Sequence, residues 1–254
     1  MAGAPITQVI ITVQFATALR ALNALEISEI YQAFASDFPV YEQIAAAGPM
    51  PYKLTQLDGT EPVDYEMPNI PRLSLSAPDR GRLIMIQHDR FSCGWQRTVP
   101  LGDEDGYPGF AEILSLFASS YERFLATVEE ITEVRPKAKV AEIAYVNAFL
   151  TRTPDGDKVR LSDLYTFIRA AEVPVSINGY QYTWNERLRV ADGVLVVTVS
   201  GPVKLTDGVP ASSFALTSTY LIKDEDRIEE EMLAVRARSG ETFRRVVGFE
   251  GVGL

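Results

Sequence analysis

The residue types best suited to chemistry or recognition fall in one stretch, LIMIQHDRFSCGWQR, at residues 83–97. It holds the only histidine of the chain, His88, and the only cysteine, Cys93. A thiol beside an imidazole would provide a nucleophile and its base. However, we predict one long strand over 82–97, bent at Gly94. On that strand positions 88 and 93 point to opposite faces, so we expect no Cys–His catalytic pair.

The same stretch favours binding over catalysis. Arginine and tryptophan are frequent among the residues that dominate interface energies. We therefore predict a recognition patch formed by His88, Arg90, Trp95 and Arg97, with His88 and Arg90 on one strand face. The alternative is a solvated sheet face whose charges form cross-strand ion pairs.

A second candidate patch lies in YQYTWNERLRV, residues 180–190. Tyr182 and Trp184 share one face of the predicted strand because they are two positions apart. We include both in the predicted binding site. Ordinary packing of an aromatic sheet face is the alternative.

Motifs of known catalytic chemistry are missing from the sequence. It contains no G-x-x-x-x-G-K-[ST], G-x-G-x-x-G, H-E-x-x-H or G-x-S-x-G pattern. With one histidine and one cysteine, a zinc site would need mostly carboxylate ligands, which structural zinc sites rarely use. We predict no catalytic residues, no metal site and no cofactor.

The charge distribution restricts the classes of partner. The 254 residues carry 24 basic and 34 acidic side chains, a formal net charge of −10. Residues 1–136 hold 9 of the basic and 18 of the acidic side chains, so they carry most of this charge. Nucleic-acid binding normally requires a basic surface, and we do not expect it here; a weak alternative uses Arg187, Arg189 and Lys204. A protein partner with a basic surface suits the first half better.

The sequence predicts a cytoplasmic protein. A single cysteine allows no internal disulfide, in keeping with a reducing compartment. No apolar run approaches the length of about 18 residues that a membrane span needs. The N-terminal residues lack the charged and apolar regions of a signal peptide.

Hydrophobic periodicity predicts the same order of elements twice. In the first half we predict a strand over 6–16, a helix over 28–38, a mostly irregular segment over 45–71 with a short strand at Tyr52–Leu57, a hairpin over 72–77 and 82–97, and a helix over 107–131. In the second half we predict a strand over 139–150, a helix over 161–171, a hairpin over 180–190 and 194–205, a strand over 213–224 and a helix over 225–247.

This order predicts an α+β fold of two pseudo-repeated β-α-β-β-(β)-α units, 1–136 and 137–254. Each unit would form an antiparallel sheet with helices on one face, and the two sheets would join into one continuous curved sheet. That shape is similar to the saddle of the TATA-binding type. The analogy concerns shape and carries no function.

Several short motifs resemble those of a known family. They are VIITVQF in the first strand, Asp37-Phe38-Pro39 after the first helix, Gly106-Tyr107-Pro108-Gly109-Phe110 before the long helix, Ile143-Ala144-Tyr145-Val146-Asn147, and Phe243 near the end. Together they resemble a sporadically distributed family of uncharacterised bacterial proteins of about this length. The resemblance implies a cytoplasmic bacterial protein, and the patchy distribution is typical of defence and mobile-element genes.

Two functions follow from the sequence. The first is a non-catalytic interaction protein within a bacterial multiprotein assembly, and homodimer formation through an exposed sheet edge is an accompanying expectation. The alternative is an enzyme or small-molecule-binding protein with a pocket between the two halves, where the proline-rich segment 45–71 acts as a lid. A deep cavity lined by ionisable residues at the junction would favour the alternative.

Overall fold

The computed structural model describes residues 6–19, 24–63, 71–101, 106–151, 159, 161–167, 179–205 and 209–247. Within these residues, the strands are β1 (Ile6–Phe15), β2 (Val40–Ile44), β3 (Arg72–Ser76), β4 (Arg82–Gln87), β5 (Arg90–Gln96), β6 (Ala138–Leu150), β7 (Tyr180–Leu188), β8 (Gly193–Lys204) and β9 (Pro210–Leu221). The helices are α1 (Ala24–Phe34), α2 (Leu54–Leu57), α3 (Phe110–Thr132), α4 (Leu161–Leu164) and α5 (Ile228–Val246), and a 3₁₀ turn at Glu225–Arg227 precedes α5.

The described strands form one open antiparallel sheet of nine strands in the order β2-β3-β4-β5-β1-β6-β9-β8-β7. The predicted α+β class and the antiparallel sheet are therefore confirmed. The two predicted halves meet where β1 pairs with β6. There Ile11 is fully buried between Cys93 of β5 and Ile143 of β6, so the two halves share one sheet.

One face of the sheet is apolar and covered by helices. Phe91, Val13, Ala141 and Tyr220 are cross-strand neighbours on four adjacent strands, so they point to the same face, and all four are fully buried. Helix α3 packs on this face, where the rings of Phe91 and Phe124 lie 5.0 Å apart. We call it the helix face and the opposite one the open face.

The remaining long helices complete the same layer. The ring of Phe243 in α5 lies 5.5 Å from that of Phe214 in β9. Helix α1 packs beside α3, where Arg123 lies over the Phe34 ring and forms a 2.7 Å ion pair with Asp37. The buried side chains of α3, among them Phe117, Phe124 and Val128, form one apolar stripe, and this stripe covers the sheet.

The prediction of one strand over 82–97 is wrong. β4 ends at Gln87, His88 and Asp89 form a tight turn, and β5 begins at Arg90. Two backbone hydrogen bonds hold the turn: Phe15 donates to the Asp89 carbonyl at 2.8 Å, and Leu19 donates to the His88 carbonyl at 2.7 Å. His88 and Arg90 therefore do not share a strand face, and β5 runs past Gly94 without a break.

Three further elements differ from the sequence prediction. Tyr52–Leu57 is not a strand, because residues 54–57 form the short helix α2. The edge strand β2 was not predicted, since only its two end residues are even partly buried. Helix α4 covers the beginning of the predicted helix 161–171, whose end at 168–171 lies outside the described residues.

Candidate functional site

The β4–β5 turn carries a buried ion pair between neighbours in sequence. Arg90 donates to Asp89 through Nε at 3.1 Å and through a terminal nitrogen at 2.8 Å. Gln87 and Gln14 donate to the same carboxylate at 2.8 and 3.1 Å. Burial alone would raise the pKa of Asp89, but the hydrogen bonds and charge of Arg90, with help from Gln87, hold that pKa below its ordinary value.

The segment between β2 and β3 is anchored to this turn. The Gln87 side chain accepts a hydrogen bond from the Ala47 N–H at 2.8 Å and donates to the Ala47 carbonyl at 3.3 Å. Arg90 donates to the Gly48 carbonyl at 2.8 Å. Further along, α2 lies beside β7 at the opposite edge of the sheet. We call residues 46–63 the crossing segment, because they pass from one edge of the sheet toward the other.

The crossing segment is also braced within itself. Lys53 and Glu61 form a 2.6 Å ion pair, and Thr55 donates to the other oxygen of Glu61 at 2.8 Å. The Gln56 side chain accepts from the backbone N–H groups of Tyr52 and Lys53. These contacts hold the pKa of Glu61 below its ordinary value, chiefly through the hydrogen bond from Lys53. Residues 46–63 of the predicted lid or loop 45–71 are therefore well bonded, and residues 64–70 lie outside the described residues.

A cleft of about 320 Å³ lies between the crossing segment and the sheet. Its floor comes from the end of β1, the β4–β5 turn and the start of β6. Its wall comes from the crossing segment. The lining residues are Gln14, Phe15, Ala16, Thr17, Ala18, Met50, Tyr52, Gln56, Glu61, Pro62, Val63, His88, Asp89, Lys139 and Val140. Because Lys139 and Val140 belong to the second predicted half, the cleft lies at the junction of the halves.

A row of polar side chains continues from the cleft along the open face. Thr12 and Arg72 both donate to the Ser92 hydroxyl, at 3.0 and 2.9 Å. Burial, reinforced by the positive charge of Arg90, lowers the pKa of Arg72 to about 10.

Glu142 lies one strand further along this row. Its carboxylate accepts a hydrogen bond from Thr219 at 3.2 Å. Burial raises the pKa of Glu142, although Thr219 and the charges of Arg90 and Arg72 act in the opposite direction.

Cys93 is not a reactive thiol. It is fully buried on the helix face, between Ile11 and Ile84 of the neighbouring strands. Burial raises the pKa of the thiol to about 12, and the reactive thiolate is correspondingly disfavoured.

The predicted binding residues fall into separate groups. His88 and Arg90 lie at the turn beside the cleft, and only His88 lines it. Trp95 is buried on the helix face against Tyr107, with ring centroids 5.4 Å apart. Arg97 lies beyond the end of β5 and donates to the Ile6 carbonyl at 3.2 Å.

Tyr182 and Trp184 form a third group at the edge strand β7. Both pack around Phe167, whose ring lies 5.0 Å from Trp184 and 6.3 Å from Tyr182. Phe167 and Tyr182 are 40% and 38% exposed, so this aromatic patch reaches the surface. The structure brings these two predicted residues together, but not with those of the first half.

Sequence reasoning missed most of the cleft. The proline-rich segment was recognised as a candidate lid, and it supplies Met50, Tyr52 and Glu61. Nothing in the sequence pointed to Gln14 or Lys139, because their proximity depends on the pairing of β1 with β6.

Comparisons with family models and curated proteins give no indication of function. No family model matches the chain, and no curated protein matches its sequence. Within the described ranges, no cluster of three or more His, Cys, Asp or Glu side chains is arranged to hold a metal ion. Among the helices that the structure describes, none is both long and apolar enough to cross a membrane.

Proposed function

We propose that this protein binds a small molecule in the cleft beneath the crossing segment. The observation that carries the proposal is His88. Its side chain is 5% exposed and lines the cleft, yet Nδ1 has no hydrogen-bond partner among the described residues. A buried polar atom without a partner is costly, and a ligand that turns the imidazole toward the cleft would satisfy it. The volume of the cleft lies at the lower end of the range for small-molecule sites.

Binding without catalysis suits this arrangement best. The thiol of Cys93 is buried on the helix face, away from the cleft. Within the described residues, His88 makes no hydrogen bond to a hydroxyl or thiol that it would activate. The Asp89 carboxylate is fully engaged by Arg90, Gln87 and Gln14 and is not available as a base.

We further propose that the cleft arose at the junction of a duplicated unit. Strands β5, β4 and β3 follow β1 on one side of the sheet, and β9, β8 and β7 follow β6 on the other. This mirrored order supports two related halves and a saddle of the TATA-binding type. It also explains why the site uses residues of both halves.

A matched pair of cleft-filling variants tests the proposed function. Ala18 lines the cleft, and Ala118 lines a separate groove between α3 and α5. We expect a ligand-observed NMR screen of small metabolites to give hits with the wild type and Ala118→Trp that disappear with Ala18→Trp. Thr17→Trp, at an exposed cleft position, provides a second blocking variant should Ala18→Trp fold poorly. Hits that persist in both blocking variants would contradict the proposal, as would an absence of hits.

The aromatic patch at β7 favours a second candidate function, a component of a bacterial multiprotein assembly. Phe167 and Tyr182 are exposed beside β7, the edge strand of the sheet among the described residues, a combination typical of protein contact sites. We expect the double variant Phe167→Ser/Tyr182→Ser to lose proteins that co-purify stoichiometrically with the wild type. Tyr41→Ser, on the opposite edge strand β2, is the control. Equal recovery of partners with both variants would contradict this candidate.

A further inference from the structure

We infer that the ligand of the cleft carries an anionic group, a carboxylate or a phosphate, held by Lys139 and His88. The inference rests on the proposed function and adds the chemical class of the ligand. It follows from the charged side chains that line the cleft, because some of them are already paired and others are not.

Both carboxylates in the cleft wall are occupied. Asp89 accepts four hydrogen bonds from Arg90, Gln87 and Gln14, two on each oxygen. Glu61 is paired with Lys53 and also bonded by Thr55. A cationic ligand would have to displace these contacts, and it would gain little from carboxylates whose charge is already compensated.

Lys139, unlike the two carboxylates, has no ion-pair partner among the described residues. It is a half-buried residue of the cleft lining, but no carboxylate of the described residues lies within ion-pair distance of its ammonium group. An uncompensated ammonium in a partly enclosed site attracts an anion more strongly than an exposed lysine does, because the local dielectric constant is lower. Its hydrogen bond to an anionic oxygen would also be charge-assisted.

His88 offers a second donor in the same cleft. Its Nδ1 atom lies 3.9 Å from the nearer Asp89 oxygen, beyond hydrogen-bond distance. An imidazole nitrogen that carries its proton can donate to a ligand oxygen. Lys139 on β6 and His88 on the β4–β5 turn line the same cleft from the two predicted halves, and the inference is that one anionic group contacts both.

The remaining wall suits an apolar or ring-shaped part of the ligand. Met50, which is 3% exposed, and the aromatic residue Tyr52 both line it from the crossing segment. Apolar walls with a few polar groups that fix orientation are typical of small-molecule sites. We therefore expect a compact carboxylated or phosphorylated molecule with an apolar portion.

Four probes with the same ring and different charge test the inference: phenyl phosphate, benzoate, benzyl alcohol and benzylamine. Binding to the full chain is measured by titration at about 0.15 M salt, where the Debye length of about 8 Å screens the net charge of −10. We expect at least one of the two anions to bind more tightly than benzyl alcohol, and benzylamine to bind most weakly. Whichever of phenyl phosphate and benzoate binds more tightly identifies the anionic group as a phosphate or a carboxylate.

Variants assign the effect to the cleft. We expect Lys139→Gln to weaken anion binding about tenfold and to leave benzyl alcohol unchanged, because the variant removes a charge-assisted hydrogen bond to the anion. His88→Gln should weaken anion binding as well. Lys137→Gln removes the same charge from an exposed position that lines the other groove, and it should have no effect.

The outcomes separate this inference from the proposed function. Equal binding of all four probes, lost in Ala18→Trp, would overturn the inference and leave the small-molecule site standing. Tighter binding of benzylamine, or anion binding that Lys139→Gln does not change, would also overturn it. If none of the four probes binds, the inference fails, and the wider metabolite screen decides the proposed function.

Discussion

At the scale of single residues, Asp89 and Arg90 link three parts of the site. Their side chains form a buried bidentate pair, and the same two residues contact Gln14 on β1 and Gly48 in the crossing segment. A buried pair contributes little net stability over an apolar replacement, but removing one partner leaves a buried charge uncompensated. We therefore expect the pair to fix the geometry of the turn and of the cleft floor.

Asp89→Asn tests this role. At neutral pH the variant leaves Arg90 buried without a counter-charge, and we expect a loss of about 3 kcal/mol in the free energy of unfolding. Because the pKa of Asp89 is lowered on folding, its stabilising contribution is present above its ordinary value of 3.8 and disappears as the pH falls through the folded-state value. Urea unfolding at several pH values should show the gap between variant and wild type closing in acid.

The control for Asp89→Asn is Asp37→Asn. Asp37 pairs with Arg123 at the surface, where both side chains are about half exposed. Exposed pairs contribute about 0–1 kcal/mol, so we expect a small loss. A gap for Asp89→Asn that stayed constant with pH, or matched that of the control, would contradict the assigned role.

Replacing Glu142 should change the stability at neutral pH in the direction opposite to replacing Asp89. Burial raises its pKa on folding, so its neutral form is favoured in the folded state, and this stabilisation is lost as the pH rises through the folded-state value. Glutamine keeps an uncharged acceptor for Thr219. We expect the urea midpoint of Glu142→Gln to exceed that of the wild type at pH 7, with the difference shrinking toward pH 4. A variant that is less stable at pH 7 would show that Arg72 and Arg90 need this carboxylate.

At the scale of elements, Gly94 determines how closely β5 approaches β1. A Cβ at this position would overlap the carbonyl oxygen of Val9 and lie 2.9 Å from Cα of Ile10. Backbone atoms cannot move aside without shifting the central strand pair. The glycine that suggested a bend in the sequence is instead a point of close contact within a regular strand.

Gly94→Ala should therefore destabilise the centre of the sheet. We expect a loss of about 1–3 kcal/mol, the usual range for overpacking, measured by urea unfolding. Gly48→Ala is the matched control, since a Cβ there would meet no atom within 4 Å. Equal stability of the two variants would show that the strands separate at little cost.

The predictability of each element follows from its residues. The first hairpin was predicted because Pro78-Asp79-Arg80-Gly81 forms a recognisable turn between alternating strands. The His88-Asp89 turn contains neither glycine nor proline, and contacts from Phe15 and Leu19 hold it in place. The cleft depends on the long-range contacts of that turn and on the β1–β6 pairing, so only the candidate lid and a location between the predicted halves could be predicted from sequence.

At the scale of the whole molecule, the two predicted halves share a sheet and a core. β1 and β6 pair along almost their full length, and buried residues of both halves belong to one hydrophobic cluster. A shared core makes independent unfolding of either half unfavourable. We expect the chain to unfold as one cooperative unit, although it is long for a two-state protein.

The two tryptophans report on the two halves separately. Trp95 lies in β5, and Trp184 lies in β7. In the variant Trp184→Phe the fluorescence signal during thermal unfolding comes from Trp95 alone. In Trp95→Phe it comes from Trp184 alone. Circular dichroism gives the global unfolding midpoint of each variant. We expect the fluorescence midpoint of each variant to coincide with its own global midpoint. A fluorescence transition that preceded the global one would indicate a half that unfolds alone.

The most direct test of the small-molecule site is a map of amide chemical shifts in ¹⁵N-labelled full-length protein during titration with phenyl phosphate or benzoate. The account predicts that the largest changes fall on residues 14–18, 50, 52, 56, 61, 63, 88–89 and 139–140, which line the cleft from both predicted halves. Changes concentrated in the groove between α3 and α5, or along β7, would place binding elsewhere and contradict the central claim.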